Sequence, residues 1–319
     1  MDIDSTLSML GRPSPTGIVT DDLSYIRTGI VNVFFYGRPG AGDRGWVLID
    51  TGIYGFSGRI MEEAARRFGE GARPAAIILT HGHFDHVGTV KPLMQAWDVP
   101  VYAHPMEMPY LTDRSPYPPP DPSVGGGAMS AMSPLYPRGP FHLQPAPIAL
   151  PSDGSVPGMP GWRWVHTPGH SPGHIALWRE SDRTLIAGDA FVTTRQESLS
   201  GAFTQNPEMH GPPMYFTPDW QSARRSVETL AALEPAVAVT GHGLPMAGDF
   251  LIDELHTLAQ QFAQRAVPNR GRYVNEPAVT SSAGIVSLPP APASPNIDGL
   301  AAFAIATAVT MAVASRFRD

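Results

Sequence analysis

Leu79-Thr80-His81-Gly82-His83-Phe84-Asp85-His86-Val87-Gly88 is the stretch whose reading decides the rest of this chain. Three imidazoles and a carboxylate follow directly on the apolar run 75–79. Alternate residues of an extended segment point the same way, so His81 and His83 can reach one metal ion. Asp85 and His86 come as the chain turns and can face a second ion beside the first. Neutral imidazole and carboxylate suit a borderline divalent ion such as zinc. A cluster placed where a strand turns is a stronger signal than histidine content alone.

The flanks alternate strand and helix. Residues 30–36 read as a strand from their β-branched and aromatic content, and 46–49 as another that ends in Asp50-Thr51-Gly52. Residues 56–68 have helical spacing, with Arg59, Glu62, Glu63, Arg66 and Arg67 on the wet face. The strand 75–79 leads into the motif, then 90–97 reads as a helix and 99–103 as a strand, which together suggest a layered α/β body. Residues 104–160 lose periodicity around Pro118-Pro119-Pro120 and Gly125-Gly126-Gly127, as lids and binding loops do. Strand 162–166 runs into Thr167-Pro168-Gly169-His170, and 175–178 with 184–187 reads as a hairpin before Gly188-Asp189. After a second irregular loop, 193–217, Asp219 is a fitting N-cap for a helix to residue 233. Strand 236–239 delivers Gly241-His242-Gly243, and 249–265 reads as a helix.

Composition narrows the classes. The 319 residues are 42% hydrophobic and 16% charged, enough apolar content for a substantial core. A net charge of -7 argues against a general nucleic-acid binder. With no cysteine, a metal site must use His, Asp or Glu. The first residues lack the basic start and apolar core of a secretory signal, so cytoplasmic residence is the expectation. Residues 288–295 form a Pro/Ala linker, and 299–315 then carry no charge. That tail reads as a packing helix or as a weak membrane anchor, with the Pro-rich linker favouring the tether. The expected organisation is a catalytic domain over 1–275, with insertions at about 104–160 and 193–217, followed by linker and apolar helix over 276–319.

Further metal-capable side chains recur at strand ends beside small residues: His170, Asp189, His242 and, more loosely, Asp50. With the opening motif, His81, His83 and His170 serve one ion. Asp85, His86 and His242 serve the other, and Asp189 is able to bridge. Three ligands per ion plus a bridge leave room for a shared water, the open position of a catalytic site. Two adjacent dications lower the pKa of such a water towards ~7, which provides hydroxide at neutral pH. His174, four residues after His170, reads as a group behind the ligands or a structural one, and His166 as structural. His104 and His142 read as surface residues. Tyr215 and Phe216 are candidate walls of a substrate pocket, and residues 102–136 a candidate lid.

The ordered set His-X-His-X-Asp-His, His170, Asp189 and His242 resembles the metallo-β-lactamase-fold hydrolases, most closely their glyoxalase-II-like branch. Leu48-Ile49-Asp50-Thr51-Gly52 and Ala187-Gly188-Asp189 add to the likeness, which covers roughly residues 30–265. The resemblance implies a four-layer αββα sandwich with the metals at one edge, and gives Asp50 the task of orienting a ligand. It implies a dinuclear hydrolase, with zinc favoured and iron or manganese as alternatives. The expected substrate is a small ester, thioester or lactone, with Asp85 assigned the role of passing a proton to the leaving group. The zinc-site cysteine of one lactamase class is absent and Asp189 is present, which removes penicillin hydrolysis. His83 stands where the di-iron flavoprotein branch has Glu, which removes redox chemistry. A mononuclear iron persulfide dioxygenase and a phosphodiesterase remain as alternatives. Arg265, Arg270, Arg272 and Tyr273 are the nearby candidates for holding glutathione, too few to commit to that thioester.

Overall fold

A computed structural model describes residues 16–291. Two sheets face each other. The first has seven strands in sequence order: β1 (Thr16–Thr20), β2 (Leu23–Thr28), β3 (Val31–Tyr36), β4 (Val47–Ile49), β5 (Ala76–Ile78), β6 (Val101–Ala103) and β7 (Ile148–Ala149). Pairing is antiparallel from β1 to β4 and parallel from β4 to β7. The second runs β12-β11-β10-β9-β8, from β8 (Trp162–His166), β9 (Ile175–Arg179), β10 (Thr184–Ile186), β11 (Val237–Val239) and β12 (Met246–Ala247). Within it only β10 and β11 pair in parallel.

Strand alternation sorts the apolar residues into three layers. Phe34, Val47, Ile49 and Ile78 meet Ile175, Leu177, Ile186 and Val239 between the sheets. Their neighbours Phe35, Leu48 and Ile77 point outward onto the helices Ser57–Phe68 and Val90–Trp97. On the far side Ala176, Trp178 and Leu185 pack on the helices Trp220–Ala231 and Gly248–Gln260. The result is helix, sheet, sheet, helix, as the resemblance implied. Ile60, Ala64 and Phe68 recur every four residues and bury one stripe of their helix. Trp46 stacks on Phe68 with centroids 4.5 Å apart and meets Trp97 edge-on at 5.5 Å. Such pairs contribute about 0.5–1.5 kcal/mol each beyond area burial. Asp219 caps its helix by accepting from the Ser222 N–H at 2.9 Å, a contact typically worth ~1 kcal/mol.

The differences from expectation lie where pattern is weak. β1 and β2 precede the first strand read from the sequence. The helix expected over 249–265 is interrupted at Gln261 and resumes as Phe262–Arg265. The irregular spans hold short helices, Met108–Leu111, Ala128–Met132 and Leu199–Thr204. These run four to six residues, too short for an amphipathic period. Inside the span read as linker, β13 (Val279–Ser281) and β14 (Gly284–Ser287) form a hairpin, with Ile285 N–H donating to Ser115 Oγ at 3.3 Å. The 299–315 segment lies outside the described residues. Among the described residues no helix is long and apolar enough to cross a membrane.

Candidate metal centre

Topology brings the expected residues to one edge of the sandwich. β4 and β5 are parallel, so Asp50 and the Thr80-His81 turn leave their strand ends side by side. β10 and β11 are also parallel, which sets Asp189 beside His242. The two edges are tied across the sheets. Ile175 N–H donates to Thr80 O at 2.9 Å, and the Asn32 amide donates to Thr240 O and Gly243 O at 2.9 and 2.7 Å.

His81, His83, Asp85, His86, His170, Asp189 and His242 converge, and every one is buried. Their donor atoms form three overlapping triads: His81, His83 and His170; His81, His86 and Asp189; Asp85, His86 and His242. Asp189 Oδ2 lies 3.1 Å from His242 Nε2 and 3.5 Å from both His86 Nε2 and His170 Nε2. Asp85 Oδ2 is 3.4 Å from His242 Nε2, and His83 Nδ1 is 2.9 Å from His170 Nε2. Ligands held tetrahedrally at zinc-like lengths of 2.0–2.1 Å are about 3.4 Å apart, so most of these gaps match the edges of a coordination shell.

The outer nitrogens settle which ring atoms face inward. Thr80 Oγ1 donates to Asp50 Oδ2 at 2.7 Å, so at 3.1 Å from His81 Nδ1 it accepts. Asp50 Oδ2 is 2.8 Å from His86 Nδ1, and Ile30 O is 2.8 Å from His242 Nδ1. Thr217 Oγ1 donates to Pro213 O at 2.8 Å and takes the longer, 3.4 Å contact from His170 Nδ1. Each partner fixes a proton on Nδ1 and leaves the Nε2 lone pair aimed at the cluster, the tautomer a metal ligand requires. His81 Nε2, His86 Nε2 and Asp189 Oδ1 are buried with no hydrogen-bond partner. Leaving such atoms unsatisfied is costly, and a divalent ion answers all three. The residues therefore fit the group.

Electrostatics divide the cluster, with His86 and His242 raised against burial by their carboxylate neighbours and the other three rings lowered by burial. Burial pushes His81 and His170 far below the ordinary imidazole value, and His83 down to about 4, keeping those rings neutral. For His242, burial is outweighed by Asp189 and Asp85, which raise it to about 10. The carboxylates thus create a negative field on that side of the cluster. Asp85 and Asp189 are held below the usual carboxylate range, because their histidine neighbours outweigh burial.

Two groups stand behind the ligands. Asp50 has φ +59°, a conformation Asp tolerates better than most residues, and its Oδ1 also accepts the Thr80 N–H at 2.8 Å. His174 faces away from the triads. Its Nδ1 meets Thr167 Oγ1 and its Nε2 accepts the Asp189 N–H, both at 2.8 Å. Gly241 keeps the space open, since a Cβ there would lie 2.1 Å from Asp189 Oδ1.

Phe216 stacks on the His83 ring at 4.7 Å, and Tyr215 packs on Phe216 at 5.1 Å. Met129, Ala202, Phe84 and Tyr136 complete this apolar cluster, so both irregular spans contribute to it. Tyr136 is 5.4 Å from Phe84 and 6.0 Å from Phe216. Sequence reasoning missed Phe84, Tyr136, Met129, Tyr117 and Glu107. Glu107 alone carried a signal, a lone acid in the apolar, proline-flanked run Pro105-Met106-Glu107-Met108-Pro109. His104 corrects an expectation. It is only partly exposed, stacked on His166 at 4.2 Å, and burial followed by His166 lowers it to about 4. His142 is exposed as expected and pairs with Asp113. Arg265 engages Glu254, Arg270 engages Ser123 O, Arg272 engages Pro289 O, and Tyr273 engages Pro119 O.

The description "Metallo-beta-lactamase superfamily" matches residues 26–242. The chain belongs to that superfamily. It is 47% identical over 234 residues to the probable metallo-hydrolase YflN of Bacillus subtilis (strain 168), covering 73% of this chain and 88% of that protein. It is 30% identical over 196 residues to the probable metallo-hydrolase YybB of the same organism, covering 61% and 74%. Among solved structures, a beta-lactamase domain protein from Burkholderia ambifaria shares the fold with TM-score 0.54 and 21% identity, covering 77% of this chain and 72% of that one.

Proposed function

We propose that this chain is a metal-dependent hydrolase that holds two divalent ions, zinc by preference, and cleaves a small ester, thioester or lactone. His81, His83 and His170 would hold one ion and Asp85, His86 and His242 the other, with Asp189 placed between the two sets. The observation that carries this reading is the pair of triads flanking Asp189, in which His81 Nε2, His86 Nε2 and Asp189 Oδ1 are buried without a hydrogen-bond partner. The names of the two Bacillus subtilis relatives support the hydrolytic class. An all-nitrogen and oxygen donor set suits zinc, with iron and manganese also compatible.

Bound there, the ions supply Lewis acidity, polarising a carbonyl and acidifying water towards neutrality. The chain's own groups do the rest. Asp85 is 8% exposed and ionised, so its carboxylate can take a proton and return it to the leaving group. Asp50 and His174 hold His86 and Asp189 in place. Phe84, Tyr136, Tyr215 and Phe216 present an apolar wall to the acyl group and limit water. Arg265, Arg270 and Arg272 each engage a protein partner, which favours a substrate other than a glutathione thioester within the glyoxalase-II-like branch.

The test is turnover of lactone, thioester, carboxylic ester and phosphodiester substrates, with and without chelator. The reading expects chelator-sensitive cleavage of a carbonyl substrate. Cleavage of the phosphodiester alone, or oxygen uptake with a persulfide, overturns it.

A further inference from the structure

Glu107 is a fully buried carboxyl that the chemistry above does not use. It ends the short turn Pro105–Glu107 that follows β6. Its Oε1 accepts from Gly173 N–H at 2.7 Å and Ser171 Oγ at 2.8 Å. Its Oε2 accepts from Gly82 N–H at 2.9 Å and from the Tyr117 hydroxyl. Gly82 lies between His81 and His83, and Ser171 follows His170. Two loops that carry ligands for the first ion therefore meet on one carboxylate, contributed by the 104–160 insertion. Burying a carboxylate is expensive unless its oxygens are satisfied, and four donors satisfy these two.

The approach is close. A Cβ at Gly173 would lie 2.9 Å from Glu107 Oε1, and one at Gly82 would lie 2.4 Å from the Tyr117 hydroxyl. Tyr117 also packs edge-on against the His83 ring at 4.6 Å, opposite in partner to the stacked Phe216. None of the hydrogen bonds of Glu107 reaches Asp85, His86 or His242.

We propose that Glu107 is a positioning residue for the first metal position, clamping the His81–His83 turn to the His170 loop and so setting the His83 to His170 separation. This rests on the two-ion reading above, and it adds an asymmetry that reading does not contain. Loss of the clamp weakens one ion and spares the other.

Glu107→Gln keeps the shape, but its NH2 faces a backbone N–H whichever way the amide turns, that of Gly173 or that of Gly82. Zn(II) and Co(II) binding to the full chain, measured by chelator competition, should show one ion weakened by about 10–100-fold, the usual scale for groups supporting a ligand. The second ion should keep its affinity, and the Co(II) absorption of the weakened position should shift. Tyr117→Phe and Ser171→Ala each remove one donor while leaving the carboxylate, and should weaken the same ion by less. They carry the comparison if Glu107→Gln does not fold. Unchanged affinities with an unchanged Co(II) spectrum, or equal weakening of both ions, overturn the clamp. Wild-type protein that binds neither ion overturns the two-ion reading itself.

Discussion

The backbone N–H of Asp189 donates to Nε2 of His174 at 2.8 Å. That bond turns His174 away from the metal positions and holds the backbone of Asp189, whose Oδ2 lies 3.1 Å from His242 Nε2 and 3.5 Å from His86 Nε2 and His170 Nε2. Its other nitrogen is held by Thr167 Oγ1. His174→Leu leaves the Asp189 N–H unsatisfied in a buried site, which costs about 1–3 kcal/mol. Metal affinity should fall by about 10–100-fold. Thermal unfolding and chelator competition on the same preparation check both.

Gly241 offers a smaller perturbation. A methyl group there would meet Asp189 Oδ1 at 2.1 Å and His86 Cε1 at 2.7 Å. Gly241→Ala should therefore displace the shared carboxylate, cutting turnover by at least tenfold while the circular dichroism spectrum stays native. An unchanged rate would show that Asp189 has room the structure does not give it.

The apolar wall predicts a split between binding and chemistry. Phe216→Leu removes the ring stacked on His83 and none of the metal-ligating atoms. KM for a substrate with an apolar acyl group should rise several-fold, while metal content stays at the wild-type level. Steady-state kinetics beside elemental analysis reads both.

Away from the site, Arg179 ties β9 to the start of β2 by pairing with Asp22 and Asp182, both at 2.7 Å. Burial alone would raise these carboxyls, but the guanidinium outweighs it and holds both below the ordinary value. Between that ordinary value of about 3.9 and the lower folded values, the unfolded chain binds more protons than the native one. The stability from these pairs is thus present above pH ~4 and lost as pH falls through the folded values. Arg179→Met should flatten the acid limb of a melting-temperature profile below pH ~4. A limb with the wild-type slope contradicts the pairing.

Much of this architecture can be read in the chain, for a physical reason. Strands buried on both faces are continuous apolar runs, so β3, β4 and β5 stand out, and Asp50 and the His81–His86 motif come after two of them. The cluster of metal-capable side chains is legible because His81, His83, Asp85 and His86 sit together and His170, Asp189 and His242 each come after a strand. Orientation is not. Only the fold shows that Thr80, Thr217 and Ile30 O fix the ring tautomers, since these are ordinary residues without chemical distinction. Glu107 and Tyr117 were hidden because their span has no period to place them, and their partners lie 25 and 10 residues from Glu107 or further along the chain.

The central claim is that Asp189 joins two ions into one centre, and counting ions tests it most directly. Metal content per chain, measured on purified wild-type protein and on Asp189→Ala after equilibration with Zn(II), should be two for the wild type and one or none for the variant. Turnover of the preferred carbonyl substrate should be lost with it. A single iron in the wild-type protein, or two ions retained at full activity in Asp189→Ala, would contradict the account.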